Sequence, residues 1–388
     1  MPITVWIDQP SEREIDRPHF HLYGWFTSSV AREDVQLTLN GSIVPVSIYR
    51  RADIEAAYPE LWARGFSGFV WLSDFATSGT LTLAAYVGGR QALRKEYPIR
   101  PQALQESVLQ TQFKAAKRVW LNKHLKCTVC GTPLVVDGDK EIVCRRCLTA
   151  FPTVAGCPNL IPPESRAVRE IEFGGNVCSH GYDNDVLKIV QEVKARGGMV
   201  LDCGAGYRSA VDENIVTTEV TPFPSTDLLA INQILPFQDN TFDAVLSLHV
   251  LEHVSNPFAC AQELVRVTKP GGVVFAVTPM IVPEHGYPHH FFNPTIEGLK
   301  SLFSGIAQVE TTYVPVLGHP MNGLRSILDL YLWSLPEALK GRFKTMTVEE
   351  LLAGTLEESI RTDIAVRVSE EGVRRLAANY AIRVRKNA

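Results

Sequence analysis

Val200-Leu201-Asp202-Cys203-Gly204-Ala205-Gly206 sets an acid near the end of a short apolar run and two glycines in the turn that follows. A continuous apolar run of this length reads as a strand buried on both faces. Glycines let a backbone approach a ligand closely, and an acid beside them can receive a cationic group. An ordinary tight turn would use the same glycines, so the reading depends on the surroundings. Upstream, Val186, Ile189, Val190 and Val193 share one face of a helix that ends at Gly197-Gly198. Downstream, Ile215-Val216-Thr217-Thr218-Glu219 reads as a second strand ending in an acid, where a carboxylate can accept both hydroxyls of a ribose or simply cap the strand. From about residue 182 helix and strand alternate, the signature of an α/β sheet with crossover helices.

The order continues through Leu235-Pro236-Phe237 and Asp239-Asn240-Thr241-Phe242-Asp243 into the strand Ala244–Leu248. Leu251-Glu252-His253-Val254 follows, then Lys269-Pro270-Gly271-Gly272 before the strand Val273–Val277. Over about 199–279 this series resembles the class I S-adenosylmethionine-dependent methyltransferases, in their type 11 branch. The resemblance implies a Rossmann-like, seven-stranded α/β domain over 166–388, with a helical insertion at about 319–369 and a closing strand at Leu376–Lys386. It also implies a site. Asp202, Cys203, Gly204, Ala205 and Gly206 would hold the methionine part of S-adenosylmethionine, with Asp202 near its ammonium. Glu219 would hold the ribose, Asn232 and Gln233 would meet the adenine, and Leu248 and His249 would face the methyl end. Two residues depart from the family pattern: Ile231 stands where aspartate is frequent, and Arg208 replaces a third glycine. A nicotinamide dehydrogenase also joins a glycine turn to a later acid, but its fingerprint wants a third small residue, a slot Ser209 fills imperfectly. The acid before the glycines and the Lys-Pro-Gly-Gly turn favour methyl transfer.

A sulfonium already makes its methyl group electrophilic, so such an enzyme chiefly aligns a nucleophile and removes its proton where needed. Histidine suits that task near neutral pH. The candidates lie in Glu284-His285-Gly286-Tyr287-Pro288-His289-His290-Phe291-Phe292, with His289 and His285 as bases. A loop of locally bonded imidazoles is the competing reading. A second metal site is conceivable here, with Glu284 as the nearby carboxylate. His253 either caps the next helix or pairs with substrate.

Cys127-Thr128-Val129-Cys130 and Cys144-Arg145-Arg146-Cys147 form two C-x-x-C pairs separated by 13 residues. Two such knuckles aim four sulfurs at one point and can close a tetrahedral zinc site. Four protein ligands leave no open position, so the metal would be structural. Val135-Val136 and Ile142-Val143 flank Asp137-Gly138-Asp139 as a hairpin that brings the pairs together. The stretch 125–162 resembles the small zinc-ribbon activators of tRNA and translation-factor methyltransferases, and implies an activator acting in cis over 127–165. Leu148 stands where the second knuckle often has glycine. Cys157, Cys178, Cys203 and Cys260 read as buried thiols.

Residues 1–101 read as short strands. Val35, Leu37 and Leu39 alternate with polar neighbours before Asn40-Gly41, and Leu81, Leu83, Ala85 and Val87 do so before Gly88-Gly89. With His21–Phe26 and Gly68–Leu72 they predict a β-sandwich. Arg51–Glu60 with Gly65–Phe69 resembles an accessory domain beside enzymes of surface-glycan assembly. A helical linker at 102–126 carries Lys114, Lys117, Arg118, Lys123 and Lys126, which read as a solvated face or, with Trp120, as a patch for RNA.

The chain has 388 residues, 45% hydrophobic and 21% charged, the balance of a globular protein of two or three domains. Its net charge of -4 supplies no global basic field for nucleic acid. Neither a signal peptide nor a membrane span is legible, and the cytosol is the expected address. Oligomeric state and acceptor atom are not encoded in any motif. The expected function is methylation of a small molecule, sugar, or glycan- or lipid-linked precursor. The alternatives are a tRNA, rRNA or protein methyltransferase with its activator in cis, and a non-catalytic scaffold that binds S-adenosylmethionine.

Overall fold

Period-two alternation of apolar residues builds the N-terminal region of the computed structural model, which describes residues 3–11, 13–30, 35–77, 79–134, 142–166, 181–286 and 289–378. The strands are β1 (Ile3–Gln9), β2 (His19–Ser28), β3 (Val35–Leu39), β4 (Ser42–Val44), β5 (Ser47–Tyr49), β6 (Trp62–Trp71), β7 (Thr80–Val87) and β8 (Arg90–Pro98). They form two four-stranded antiparallel sheets, ordered β1-β2-β6-β5 and β4-β3-β7-β8. Leu22 and Phe26 of β2, Leu37 of β3, Phe66 and Val70 of β6, and Leu81 and Leu83 of β7 fill the shared core. The β3–β4 turn uses Asn40 and Gly41 at φ 48 and 85, and Gly88 and Gly89 turn β7 into β8 at φ 54 and 76. These are left-handed conformations that Asn and Gly adopt most readily.

Four two-residue strands mark the cysteine-rich segment: β9 (Ile142–Val143), β10 (Ala150–Phe151), β11 (Thr153–Val154) and β12 (Cys157–Pro158). Ile142-Val143 pairs with Ala150-Phe151, and residues 135–141 of the expected hairpin lie outside the described residues.

The α/β sheet contains β13 (Val200–Cys203), β14 (Ile215–Glu219), β15 (Leu228–Leu229), β16 (Phe242–Leu248) and β17 (Thr268–Val277), in the order β15-β14-β13-β16-β17. β13 comes first in sequence yet lies at the centre, parallel to β14 on one side and β16 on the other. The strand order reverses there, and at such a switch point the crevice beyond the carboxyl ends of the strands is where ligands bind. The helix Asn184–Lys194 is capped by Asp183, whose carboxylate accepts from Val186 N. Its apolar face, Val186, Val190 and Val193, packs on Val200, Ile215, Ala244 and Leu246.

The chain divides into two compact units, residues 1–248 with 259–276, and residues 249–258 with 277–388. The second is helical, with its longest helix at Pro320–Ser334 and a close approach of Gly372 to Ser334. Leu376, expected to open a closing strand, instead ends the helix Glu370–Leu376. Local signals decide it: Ser369 caps the helix through Gly372 N, glutamates fill its first turn and arginines its last. Residues 379–388 lie outside the described residues, so the described sheet has five strands. No described helix is long and apolar enough to cross a membrane.

The linker corrects a second expectation. The helix Pro101–Leu121 does not leave its lysines in solvent. Lys117 is 2% exposed, with Nζ donating to Asp227 at 2.6 Å and to the Ile215 carbonyl at 2.7 Å. Lys114 donates to the carbonyls of Pro224 and Thr226, and Gln110 accepts from Val211 N. Asp227 also accepts from Thr217 N. The helix is thus bolted to the segments around β14 and β15 by groups that only a tertiary partner could satisfy. Burial pulls the Lys117 ammonium down and Asp227 opposes it. Lys117→Ala, which strands the buried carboxylate, should lower stability by about 3–5 kcal/mol in urea unfolding, whereas Lys117→Met with Asp227→Asn should recover much of the loss.

Candidate functional site

β13 delivers Asp202 to the start of the glycine turn with no exposure to solvent. Its Oδ2 accepts from Tyr182 Oη at 2.6 Å and from Arg208 Nε and Nη2 at 3.1 and 2.9 Å. Its Oδ1 is buried with no partner among the described residues. Burial, reinforced by Asp202, holds the Tyr182 phenol well above its usual range, so it stays a donor. Gly204 and Gly206 lie at φ 69 and 64, left-handed conformations that a side chain would strain. Glu219, at the end of β14, accepts from Gly206 N at 2.9 Å and from Val220 N at 2.7 Å. Asp202, Cys203, Gly204, Ala205, Gly206 and Glu219 therefore converge on one loop. Cys203 is fully buried, and burial pushes its thiol up.

Asn232 and Gln233 follow β15. Asn232 is buried, and Gln233 Oε1 is buried with no partner among the described residues. Ile231, in the place of an expected aspartate, packs with Cys157, Ile161 and Leu229. Asn159 pairs with Leu229, and Leu160 N donates to the Leu229 carbonyl. The cysteine-rich segment thus docks on the edge of β15, and an apolar residue at 231 is what that docking requires. Leu248 ends β16, and His249 follows at φ 57.

The sandwich also reaches this loop, which the sequence did not announce. Tyr207 Oη donates to the His19 carbonyl at 3.1 Å, so His19 Nδ1, 2.8 Å away, must donate to Oη. Trp71 packs edge-on to His19, and Phe69 and Phe223 pack around Tyr207. His19 is fully buried, and burial drops its pKa to about 3. The unfolded chain therefore binds a proton that the folded one refuses, and the stabilisation is lost as pH falls from 6.5 toward about 3. Unfolding measured from pH 7 to 4 should show a pH slope that shrinks by up to about 1.4 kcal/mol per unit in His19→Asn. An unchanged slope would place the acid sensitivity elsewhere.

Cys127, Cys130, Cys144 and Cys147 each offer a sulfur, all within 4.8 Å of one another. Cys127 and Cys147 Sγ are 3.6 Å apart, and Cys130 and Cys144 Sγ 3.5 Å. A tetrahedron with Zn–S bonds of about 2.3 Å has edges of roughly 3.8 Å, so the four thiols fit zinc. Both knuckles make the same turn, with Gly131 N donating to Cys127 O and Leu148 N to Cys144 O, each at 2.9 Å. Gly131 lies at φ 73 and Leu148 at φ 60, so Leu148 adopts the glycine conformation at a cost. Its side chain is 75% exposed and contributes little packing in return. Leu148→Gly should raise stability by about 1 kcal/mol and delay metal loss to a chelator; a loss of stability would show that Leu148 is held by packing.

The predicted bases lie in the second unit. His289 is exposed, and its carbonyl accepts from His253 Nδ1 at 2.8 Å. His285 Nδ1 donates to the Pro283 carbonyl at 2.9 Å. Tyr287 and Pro288 lie outside the described residues. Glu284 is engaged by Arg374, and its carbonyl accepts from Arg375 Nε, so it is not the carboxylate that joins the histidines. Glu252 is. It is fully buried in the turn Leu251–His253, and burial raises its pKa to about 7. Burial lowers His253 and His285, which favours their neutral forms. Sequence reasoning passed over Glu252 because it sits inside a family marker far from the histidine loop.

The model of the methyltransferase domain family matches residues 208–276. An uncharacterised methyltransferase of Mycobacteroides abscessus is 31% identical over 158 residues, 35% of this chain and 58% of its own length. One from Mycobacterium tuberculosis is 33% identical over 124 residues, 31% of this chain and 45% of its own. The chain spans about half the length of these curated relatives. Among solved structures, the Haemonchus contortus phosphoethanolamine N-methyltransferase 2 in complex with S-adenosyl-L-methionine aligns with TM-score 0.28 and 11% identity, covering 82% of this chain and 65% of that one.

Proposed function

We propose that this chain, which carries a class I methyltransferase domain, is an enzyme that transfers the methyl group of S-adenosylmethionine to a small molecule, sugar, or glycan- or lipid-linked precursor. The observation that carries the reading is the unpartnered Oδ1 of buried Asp202 at the mouth of a left-handed glycine turn. A buried carboxylate oxygen without a donor is costly, and the ammonium of the methionine part would relieve it. Arg208, on the other oxygen, supplies positive charge for the α-carboxylate. Glu219 would exchange its contact with Gly206 N for the ribose hydroxyls, and Asn232 and Gln233 line the adenine end. Bound there, the sulfonium supplies an already activated methyl group, and the protein's part is alignment. His285 and His289 remain the proposed bases for an oxygen acceptor.

The electrostatics support a small acceptor over RNA. Lys114 and Lys117, the centre of the basic linker, are spent on buried contacts within the fold, and the net charge is -4. The zinc ribbon takes the role of an activator in cis, seated on the edge of β15. Cys157, Cys203 and Cys260, each buried and apart from any disulfide, fit a cytosolic setting.

Calorimetric titration with S-adenosylmethionine tests the reading. Asp202→Ala should weaken binding by about 10- to 100-fold while the chain stays folded by circular dichroism. Equal affinity in the variant would remove Asp202 from the site. No binding by the native chain at millimolar cofactor would favour a scaffold.

A further inference from the structure

The second unit gathers a carboxylate and two imidazoles, one of them the proposed base His285, in an arrangement that proton removal alone does not require. Glu252 Oε1 and Oε2 are both buried, and neither has a hydrogen-bond partner among the described residues. The Thr278 hydroxyl lies beside this carboxylate and favours its charged form, and His249 Nδ1 is 3.8 Å from Oε1. His253 Nε2 is 3.9 Å from Glu252 Oε1, and one ligand atom each from Glu252, His253 and His285 lie within 4.8 Å of one another.

The tautomers are set. His253 Nδ1 faces the His289 carbonyl and His285 Nδ1 the Pro283 carbonyl, and a carbonyl can only accept. Each ring therefore carries its proton on Nδ1, which leaves the Nε2 lone pair for a ligand. Imidazoles that bind metals are held in this way, by a backbone carbonyl on the other nitrogen. His290 is excluded from the ligand set: its Nδ1 accepts from His285 N and its Nε2 donates to Asn293 Oδ1. Gly286, at φ 91, lets the backbone pass so close to His253 that an added Cβ would lie 2.2 Å from Cε1. The loop thus presses His253 toward a buried carboxylate with which it makes no hydrogen bond, its Nε2 standing 3.9 Å from Oε1.

We infer that Glu252, His253 and His285 form a binding site for a divalent first-row transition-metal ion. Two nitrogens and a carboxylate oxygen are the donor set of zinc, manganese or ferrous sites that keep open positions. Such an ion neutralises the buried carboxylate and takes both lone pairs, and its remaining positions accept oxygen ligands. The site is separate from the four-thiolate ribbon and does not depend on cofactor binding.

Metal content of the full chain tests it. Saturated with zinc and desalted, the native protein should carry two ions per chain. Glu252→Gln and His285→Ala should each carry one, and Cys127→Ser with Cys144→Ser should lose the other. Manganese, which thiolate sites disfavour, gives an independent reading by electron paramagnetic resonance. The native chain should bind one Mn2+, and each of the two unit-two variants should bind it at least tenfold more weakly. Circular dichroism and the retained ribbon zinc identify a variant that has failed to fold, in which case the other variant decides. Zinc and manganese binding unaltered by both substitutions, or a native chain that holds only the ribbon ion and no manganese, would overturn the inference. Neither result bears on S-adenosylmethionine affinity.

Discussion

A carboxylate with no exposure to water sits at the centre of the α/β sheet, and the surrounding structure is arranged around the cost of keeping it there. Asp202 can be buried because Tyr182 and Arg208 satisfy one oxygen. Tyr182 precedes the capped helix whose apolar face covers β13, and Arg208 belongs to the loop that Asp202 opens. The glycines between them are required because the chain must reverse tightly, at left-handed φ, to bring the guanidinium back over the strand end. The oxygen left over is buried without a partner among the described residues on the strand at the switch point of the sheet, where a cationic ligand would resolve the remaining imbalance.

The accessory parts of the first unit act on the same neighbourhood. The sandwich holds Tyr207, the residue after the second glycine, through buried His19. The linker helix fixes Asp227 and the chain before β15 through Lys117. The cysteine-rich segment covers Ile231, just beyond β15. Three parts of the chain that carry no cofactor chemistry thus shape successive turns at the carboxyl edge of the sheet. This gives the ribbon and the sandwich a physical role whatever the acceptor: they pre-set loops that would otherwise pay for their ordering when a ligand binds.

Features governed by local chemistry were legible in the sequence. The glycine turn, the hairpin glycines of the sandwich, the one-faced helix before β13 and the paired cysteine knuckles all follow from spacing alone. What escaped was decided by partners distant in sequence. Lys117 looks solvated until Asp227 is found 110 positions away, and His19 has no apparent task until Tyr207 arrives 188 positions later. Ile231 reads as a departure from the family's frequent aspartate until the cysteine-rich segment is seen against it. Glu284 looked like the carboxylate of the histidine loop because it is adjacent in sequence, but Arg374 engages it and Glu252 takes that place. Leu376 falls in the closing strand that the family resemblance implies, while capping and charge placement make it the end of a helix.

The central claim is that the glycine turn after β13 cradles a sulfonium donor. A crystal of the full chain grown with S-adenosylhomocysteine tests it most directly. The account predicts density for the amino group beside Asp202 Oδ1 and for the ribose hydroxyls on Glu219. An empty turn with the ligand elsewhere, or a dinucleotide lying across these residues, would contradict it.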